Sequence, residues 1–327
     1  MTLTHLQKQL LDIIQRRLPV EPRPFAELAR QLESDEAKII SEINHLRQSG
    51  IIRRIGAVFN AAHLGYVSTL VAAKIADRDI QNFVAEVNAM PGVSHNYGRD
   101  HSFNTWFTLT MTSQKLIDDT IEHLQKKYNT EAIYPLPAKK MFKINVQFDL
   151  GGNVEKQNDC IHTSQHPEIE TASLTAGQIA LIKQLQEDLP INSEPFETIA
   201  GAIEMDSSDI LRQIKQWKET GLIRRFGASI KHQRIGFDTN AMVVFEIPAQ
   251  QIDTAGQLLA QYRQVSHCYH RTTAADWPYS LFAMTHCQSV QELDGMVRQM
   301  VAQVNPLRYD VLVSTVEYKK TNVRFLE

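Results

Sequence analysis

The sequence has 327 residues, of which 43% are hydrophobic and 22% charged, a composition typical of a soluble globular chain with about two to four domains. Its formal net charge of −3 argues against a dedicated DNA-binding protein, because such proteins are usually basic. No apolar run approaches the roughly 18 residues that a membrane span needs, and the first residues lack the basic and apolar regions of a signal peptide.

The first part of the chain predicts three short helices and an extended segment. Apolar residues recur at helical spacing over 5–18 and 25–32. A third helix is expected to begin with Ser34 as its N-terminal cap and acidic residues in its first turn, and to end at Gly50. Together with the extended residues Ile51–Phe59, these helices predict a winged helix-turn-helix.

The residues that follow alternate strands with helices. In chain order we expect strand Val67–Ile75, helix Ile80–Met90, strands Val93–Arg99 and Asn104–Met111, helix Ser113–Tyr128 and a last strand within Ala132–Val146. The order βαββαβ is the ferredoxin-like arrangement. Residues 151–174 are polar and without periodicity, and they predict a linker.

The same plan then occurs a second time. Gly50–Ala57, which reads Gly-Ile-Ile-Arg-Arg-Ile-Gly-Ala, reappears at Gly221–Ala228 as Gly-Leu-Ile-Arg-Arg-Phe-Gly-Ala. Within residues 175–230, Asp206 is expected to begin the third helix and Gly221 to end it. The later elements of this copy are predicted at Ala241–Ile247, Ile252–Tyr262, Val265–Arg271, Tyr279–Thr285, Val290–Val304 and Tyr309–Tyr318.

The predicted fold is therefore α+β and a tandem duplication, in which each copy is a winged helix-turn-helix followed by a ferredoxin-like βαββαβ domain. The predicted domain bounds are 1–62 and 63–150 in copy 1, then the linker 151–174, then 175–233 and 234–327 in copy 2.

One strand of each copy carries the main candidate site residues. Because alternate side chains of a strand share a face, His95, Tyr97 and Arg99 are expected to point the same way. The equivalent residues of copy 2 are His267, Tyr269 and Arg271. Arginine is poor core material but binds carboxylates bidentately, so this face suits a flat ligand edged with carboxylates. An imidazole there could ligate iron or deliver a proton.

Further candidates each have an ordinary structural alternative. The doublets Arg53–Arg54 and Arg224–Arg225 could bind a ligand, contact phosphate or be solvated, and one arginine of each is expected to reach the ligand because neighbours in a strand face opposite ways. Lys319–Lys320 are expected to be solvated edge charges. His101 lies beside a turn without a counterpart in copy 2 and could lie inside or outside the site.

Aromatic residues and a cysteine complete the candidates. Trp106, Trp277 and Tyr279 could line the ligand, but core packing is the commoner role of strand aromatics. Cys268 is expected on the opposite face of its strand from His267, so it is not expected to act as a nucleophile.

These motifs resemble those of the siroheme decarboxylases. The resemblance rests on the Arg-Arg-hydrophobic-Gly-Ala segments and on Ser-His-Asn-Tyr-x-Arg and Ser-His-Cys-Tyr-x-Arg. It extends to Asn104–Phe107, Phe142–Ile144, Asp276–Leu281 and Glu317–Lys320. The domain layout resembles that of Lrp/AsnC-type regulators, which implies that the ferredoxin-like domains are of the AsnC type. The resemblance implies a fused form of two paired subunits that removes carbon dioxide from two acetates of siroheme to give didecarboxysiroheme, on the way to heme d1 or heme.

The resemblance also implies roles for the candidates. His95 and His267 are expected to supply protons or ligate the siroheme iron, with Tyr97, Tyr269 and His101 as further catalytic candidates. No protein-held metal ion and no cofactor beyond the substrate iron are expected, because the macrocycle itself delocalises electrons. An arginine on a departing carboxylate would stabilise the ground state, so the arginines are expected to hold the retained carboxylates. The departing acetates are then expected near less polar groups, with Tyr97, Trp106, Trp277 and Tyr279 as candidates.

Two other functions fit the layout, namely an Lrp/AsnC-like transcription regulator and a non-catalytic tetrapyrrole carrier. The recognition-helix candidates Ser34–Arg47 and Asp206–Glu219 carry net charges of −1 and 0, so no specific DNA binding is expected. Three cysteines without metal-like spacing favour a reduced cytoplasmic setting, without membrane association. The two copies are expected to pair about a pseudo-twofold axis within one chain, which could be a monomer or a homodimer.

Overall fold

The computed structural model describes residues 3–130, 132–144, 173–231 and 239–327. The helices are α1 (His5–Ile14), α2 (Pro24–Gln31), α3 (Glu36–Gln48), α4 (Ile80–Ala89), α5 (Gln114–Lys127), α6 (Ala176–Leu185), α7 (Pro195–Ile203), α8 (Ser207–Glu219), α9 (Ile252–Ala260) and α10 (Val290–Val304). The strands are β1 (Ile52–Phe59), β2 (Val67–Ala73), β3 (Val93–Arg99), β4 (Thr105–Met111), β5 (Ile133–Leu136), β6 (Ala138–Ile144), β7 (Ile223–Ile230), β8 (Thr239–Glu246), β9 (Val265–Arg271), β10 (Leu281–Cys287) and β11 (Arg308–Lys320). Except for its last two residues, the predicted linker lies outside the described ranges. None of the described helices is long and apolar enough to cross a membrane.

Each copy begins with three helices, as predicted. In copy 1 the third helix is capped by Asp35 and not by Ser34, because the Asp35 carboxylate accepts a hydrogen bond from the Lys38 backbone N–H at 2.8 Å. In copy 2 the predicted Asp206 caps α8. Gly50 and Gly221 follow the third helices with φ of +71° and +78°, a left-handed conformation that glycine adopts without strain.

The strand after these helices joins the two copies. β1 and β7 form a two-stranded antiparallel sheet in which Gly56 lies opposite Gly227. Arg54 of β1 donates to the carbonyl oxygens of Gln186 and Glu187, at the C-terminal end of α6 in copy 2. Its counterpart Arg225 donates at 2.5 Å to the Gln15 carbonyl, at the C-terminal end of α1 in copy 1.

The glycine of the repeated motif lets these helix ends come close. A Cβ atom on Gly56 would lie 2.7 Å from the Glu187 carbonyl oxygen, and one on Gly227 would overlap the Ile14 carbonyl oxygen. Through the motif Arg-Arg-x-Gly-Ala, β1 of copy 1 thus packs on the end of α6 in copy 2, and β7 of copy 2 packs on the end of α1 in copy 1. The arginine meets the partial negative charge of the helix end, and the glycine leaves room for it.

The second half of each copy has the predicted ferredoxin-like sheet. The strand order is β5-β2-β4-β3 in copy 1 and β11-β8-β10-β9 in copy 2. The helices α4 and α5 cover one face of the first sheet with a core that includes Phe83, Phe107 and Ile117. The opposite faces of the two sheets pack on each other through Trp106, Trp277 and Phe282.

Each sheet is completed by a strand from the other copy. The predicted last strand of copy 1 is divided at Pro137 into β5, which pairs with β2, and β6, which pairs with β9 of copy 2. The counterpart β11 is continuous; residues 308–313 pair with β8 and residues 314–320 with β3 of copy 1. The two copies therefore pair within one chain, as the repeat predicts.

Candidate functional site

The histidine, tyrosine and arginine of β3 and β9 lie on the face that each sheet turns toward the other. Tyr97 is opposite Trp106, and Tyr269 is opposite Phe282, both of which belong to the core between the sheets. Cys268 lies on the opposite face, in the core beneath α9, where burial raises the pKa of its thiol to about 12. The alternation predicted from the sequence is thus present in both copies, and the Cys268 thiol lies on the other side of the strand.

Both histidines are neutral at neutral pH. Burial, followed by the Lys320 charge, lowers the pKa of His95 to about 4. Burial also lowers the pKa of His267 to about 3, and the next contributions come from His95 and Arg271. In each ring Nδ1 is hydrogen-bonded to the preceding serine hydroxyl, at 2.8 Å from Ser94 in copy 1 and 2.9 Å from Ser266 in copy 2. The Nε2 atoms are the nitrogens left to meet a ligand.

The two copies contribute to one electrostatic environment. The charge of Lys320 lowers the pKa of both His95 and His267, and His95 itself acts on His267 across the copies. Arg53 of β1 acts on the copy 1 histidine, and Arg224 of β7 acts on the copy 2 histidine. Residues from both copies therefore surround one region, which we call the central site.

Two arginines are buried in the central site, and neither contacts a carboxylate in the part of the chain that the structure describes. Arg99 donates to the Leu312 carbonyl at 2.7 Å and to the Ser314 hydroxyl at 3.1 Å. In the same manner Arg271 donates to the Leu136 carbonyl at 2.8 Å. Among the described residues neither guanidinium forms an ion pair, and neither Nε has a hydrogen-bond partner. Burial lowers the pKa of each to about 10, so both stay charged, and a buried unpaired cation is costly unless an anion binds.

One arginine of each doublet faces the histidines. Arg53 forms an ion pair with Glu317 at 3.0 Å, and Arg224, which is exposed, donates to the Asn60 side chain at 2.7 Å. The guanidinium groups of Arg54 and Arg225 are occupied by the helix-end carbonyls of the other copy. The structure thus places Arg54 and Arg225 at these helix ends and not with the histidines.

The sequence reasoning missed one half of the central site, which comes from the exchanged strands. On β11, Glu317 lies opposite Tyr97 and accepts a 3.5 Å hydrogen bond from its hydroxyl, and Lys320 lies opposite His95. Burial lowers the pKa of Lys320 to about 8, so this lysine is not the solvated edge charge that the sequence predicted. The Glu317–Lys320 segment contributes to the family resemblance, but the local sequence does not predict that this segment pairs with β3.

His101, Trp277 and Tyr279 form a second group. His101 Nε2 lies 3.3 Å from the Asp310 carboxylate, and its ring meets Trp277 edge-on at 5.6 Å, while Trp277 meets Tyr279 at 4.9 Å. Roughly 13 Å of strand separates His95 from Arg99, and His101 lies beyond that end. Trp277 also meets Phe282 at 6.2 Å, so this group packs against the aromatic core between the sheets.

The two tryptophans pack as core residues. Trp106 and Trp277 are each 1% exposed, and their rings meet at 4.9 Å between the sheets. The Trp106 indole N–H donates to the Phe103 carbonyl at 2.7 Å. These contacts support the core alternative over a ligand-lining role.

Comparisons with known proteins agree with this architecture. A model of the siroheme decarboxylase NirDL-like HTH domain matches residues 7–53 and 178–224. A model of the AsnC-like ligand binding domain matches residues 63–143 and 234–319. The matched ranges alternate along the chain in the order of the two copies.

Individual relatives match at full and at half length. The chain is 32% identical over 318 residues to a siroheme decarboxylase of Hydrogenobacter thermophilus, which covers 97% of this chain and 94% of the relative. It is 46% identical over 143 residues to a siroheme decarboxylase alpha subunit of Desulfovibrio desulfuricans, covering 44% of this chain and 82% of that subunit. The crystal structure of the siroheme decarboxylase NirDL in co-complex with an iron-uroporphyrin III analogue aligns with a TM-score of 0.73 at 28% identity, over 98% of this chain and 95% of that one. The chain therefore belongs to the siroheme decarboxylase family, in the form that carries both copies of the unit in one polypeptide.

Proposed function

We propose that this chain removes carbon dioxide from two acetate side chains of siroheme and releases didecarboxysiroheme. The observation that carries the proposal is a pair of buried arginines, Arg99 and Arg271, which form no ion pair with any described residue and lie on the same faces as the neutral histidines. A flat macrocycle edged with acetates and propionates supplies the anions that these cations lack. The name of the full-length relative and the iron-uroporphyrin analogue in the related structure support the same substrate class.

The arginines hold carboxylates that the product retains. Binding a departing carboxylate to a guanidinium would stabilise the ground state and raise the barrier, because that charge disappears in the reaction. Arg99 and Arg271, which stay charged, therefore orient the ring through its retained groups. The departing acetates then lie toward the histidines and tyrosines of the same faces.

Decarboxylation breaks the bond between the acetate methylene and its carboxylate carbon. The electron pair passes into the conjugated macrocycle, carbon dioxide leaves, and one proton adds to the methylene carbon to give a methyl group. His95 and His267 supply that proton through Nε2. Both are neutral in the ligand-free protein, and the carboxylates of a bound substrate raise the pKa of each by attraction, which favours the protonated form when it is needed.

The tyrosines have a different part. Burial raises the pKa of Tyr97 and of Tyr269, so each phenol keeps its proton across the neutral range. They orient a carboxylate or a ring substituent by hydrogen bonding and exclude water from it. Either His95 or His267 can also ligate the siroheme iron, since a neutral imidazole is the ligating form.

The reaction as proposed needs no cofactor beyond the iron macrocycle of the substrate, and it takes place in the cytoplasm. A single chain is sufficient, because β6 and β11 complete the sheets of both copies and bring Lys320 beside both histidines.

Anaerobic incubation of the full chain with siroheme, followed by mass spectrometry of the extracted tetrapyrrole, tests the proposal. The expected result is a product that has lost two carbon dioxide units. Bound but unchanged siroheme would establish a carrier instead, and sequence-dependent binding of duplex DNA without turnover would establish a regulator.

A further inference from the structure

A hydrogen-bonded chain lies behind the copy 2 histidine. The Ser266 hydroxyl is 2.9 Å from His267 Nδ1 and also 2.9 Å from Nε2 of His286, on the neighbouring strand β10. His286 Nδ1 in turn lies 2.5 Å from the side-chain oxygen of Asn240 on β8. His286 and Asn240 are each 8% exposed, so these hydrogen bonds are protected from competing water. The row of hydrogen bonds crosses the adjacent strands β9, β10 and β8.

Copy 1 has no second imidazole at this place. The registers of the two sheets put Thr110 opposite Ser68 in copy 1 where His286 lies opposite Asn240 in copy 2. Thr110 hydrogen-bonds to Ser68 at 2.8 Å, whereas Ser94, behind His95, contacts the Thr108 hydroxyl at 2.8 Å. The two candidate catalytic histidines are therefore supported by different chemistry.

The difference matters because hydroxyl groups and imidazoles impose different proton arrangements. A hydroxyl can donate in either direction, so Ser94 and Thr108 permit both tautomers of His95. A neutral imidazole has one donor and one acceptor nitrogen. In a neutral His286 whose Nδ1 donates to the Asn240 oxygen, Nε2 accepts from the Ser266 hydroxyl at 2.9 Å, which is closer than the Met284 carbonyl at 3.3 Å from the same hydroxyl. The Ser266 oxygen then accepts from Nδ1–H of His267.

We propose that His286 is a positioning residue, which acts through Ser266 to hold His267 as the tautomer with its proton on Nδ1. The Nε2 atom of His267 then carries a lone pair toward the central site. The ring can gain a proton on Nε2 and give it to the substrate carbon while Nδ1–H stays donated to Ser266, so the transfer needs no reorientation of the ring. The catalytic consequence rests on the proposed function, whereas the tautomer does not.

Nuclear magnetic resonance of the full chain tests the tautomer without substrate. In protein labelled with ¹⁵N-histidine, long-range proton–nitrogen correlations distinguish protonated Nδ1 from protonated Nε2, and His267→Gln assigns the signal by its loss. We expect the Nδ1–H form in the wild type and in His286→Gln, because the glutamine amide oxygen can still accept from Ser266. His286→Leu is expected to give a mixture. A wild-type ring protonated on Nε2, or a His286→Leu pattern identical to the wild type, would overturn the proposal.

Turnover of siroheme tests the consequence. His286→Leu is expected to lower kcat about tenfold with little change in KM, and His286→Gln to restore most of it. The matched control is Thr110→Val in copy 1, which removes the equivalent side chain's hydroxyl and is expected to leave kcat unchanged. An equal loss of kcat in Thr110→Val and His286→Leu would show that His286 has only a structural role. If the wild type shows no turnover at all, the proposed function fails while the tautomer result stands by itself.

Discussion

Glu317 and Met141 occupy equivalent positions in the two halves of the central site, since Glu317 lies opposite Tyr97 on β11 and Met141 lies opposite Tyr269 on β6. The same register places Lys320 opposite His95 where Ile144 is opposite His267. The exchanged strands therefore bring charged groups to the copy 1 half and apolar groups to the copy 2 half. The exchanged strands, more than the shared His-x-Tyr-x-Arg strands, make the two halves unequal.

A carboxylate introduced on β6, opposite Tyr269, is expected to weaken substrate binding. Met141→Glu would place a negative charge beside Tyr269, in the region where the siroheme carboxylates are proposed to bind. Repulsion of the siroheme carboxylates should raise KM about tenfold or more. Steady-state kinetics would measure the change in KM, with Met141→Gln as the uncharged control. Equal effects of the two substitutions would show that shape and not charge is responsible.

Removal of a buried arginine is expected to separate binding from stability. Arg99→Met and Arg271→Met each lose a charge-assisted contact to a substrate carboxylate, so siroheme affinity should fall about 10- to 100-fold. The melting temperature of the ligand-free protein should change little, because the lost hydrogen bonds to the Leu312 and Leu136 carbonyls are offset by removal of a buried cation without an acidic partner among the described residues. Absorbance titration and thermal unfolding give the two readouts. Unchanged affinity in both variants would contradict the assignment.

The opposite pattern is expected for the other arginine of each doublet. Arg54→Gln removes the donor to the Gln186 and Glu187 carbonyls at the end of α6 and should lower the free energy of unfolding by about 1–3 kcal/mol. Siroheme affinity should stay within about twofold of wild type. Urea unfolding measures the stability change, and Arg224→Gln, which removes an exposed arginine of the second doublet, serves as its control. A loss of affinity as large as that of Arg99→Met would reinstate Arg54 as a substrate contact.

Acid should destabilise the protein through the two histidines. The folded-state pKa of His95, about 4, and that of His267, about 3, lie below the ordinary value of 6.5. At pH values between the folded-state pKa values and 6.5, the unfolded chain binds more protons than the folded chain. The free energy of unfolding therefore falls as the pH falls below about 6.5. Urea unfolding at several pH values should show a shallower fall in His95→Gln and His267→Gln. An unchanged slope in both would mean that other groups carry the acid sensitivity.

Much of the local structure follows from the sequence because it depends on local patterns. The strands Val93–Arg99 and Val265–Arg271 have the predicted bounds, and the period of two places their histidine, tyrosine and arginine on one face. The repeat predicted two copies of one plan. The cap of α3 was wrong by one residue, because Ser34 and Asp35 are both good caps and only the backbone geometry of the helix start chooses between them.

By itself, then, the sequence determined the duplication, the elements and the chemistry carried by each strand face. The tertiary structure decided which strands pair, because strands are joined by backbone hydrogen bonds, which are the same whatever the side chains are. Only that pairing places Glu317 and Lys320 beside Tyr97 and His95, and Met141 and Ile144 beside Tyr269 and His267. It also decided that Arg54 meets a helix end while Arg53 faces the site, because the orientation of β1 is fixed by its pairing with β7.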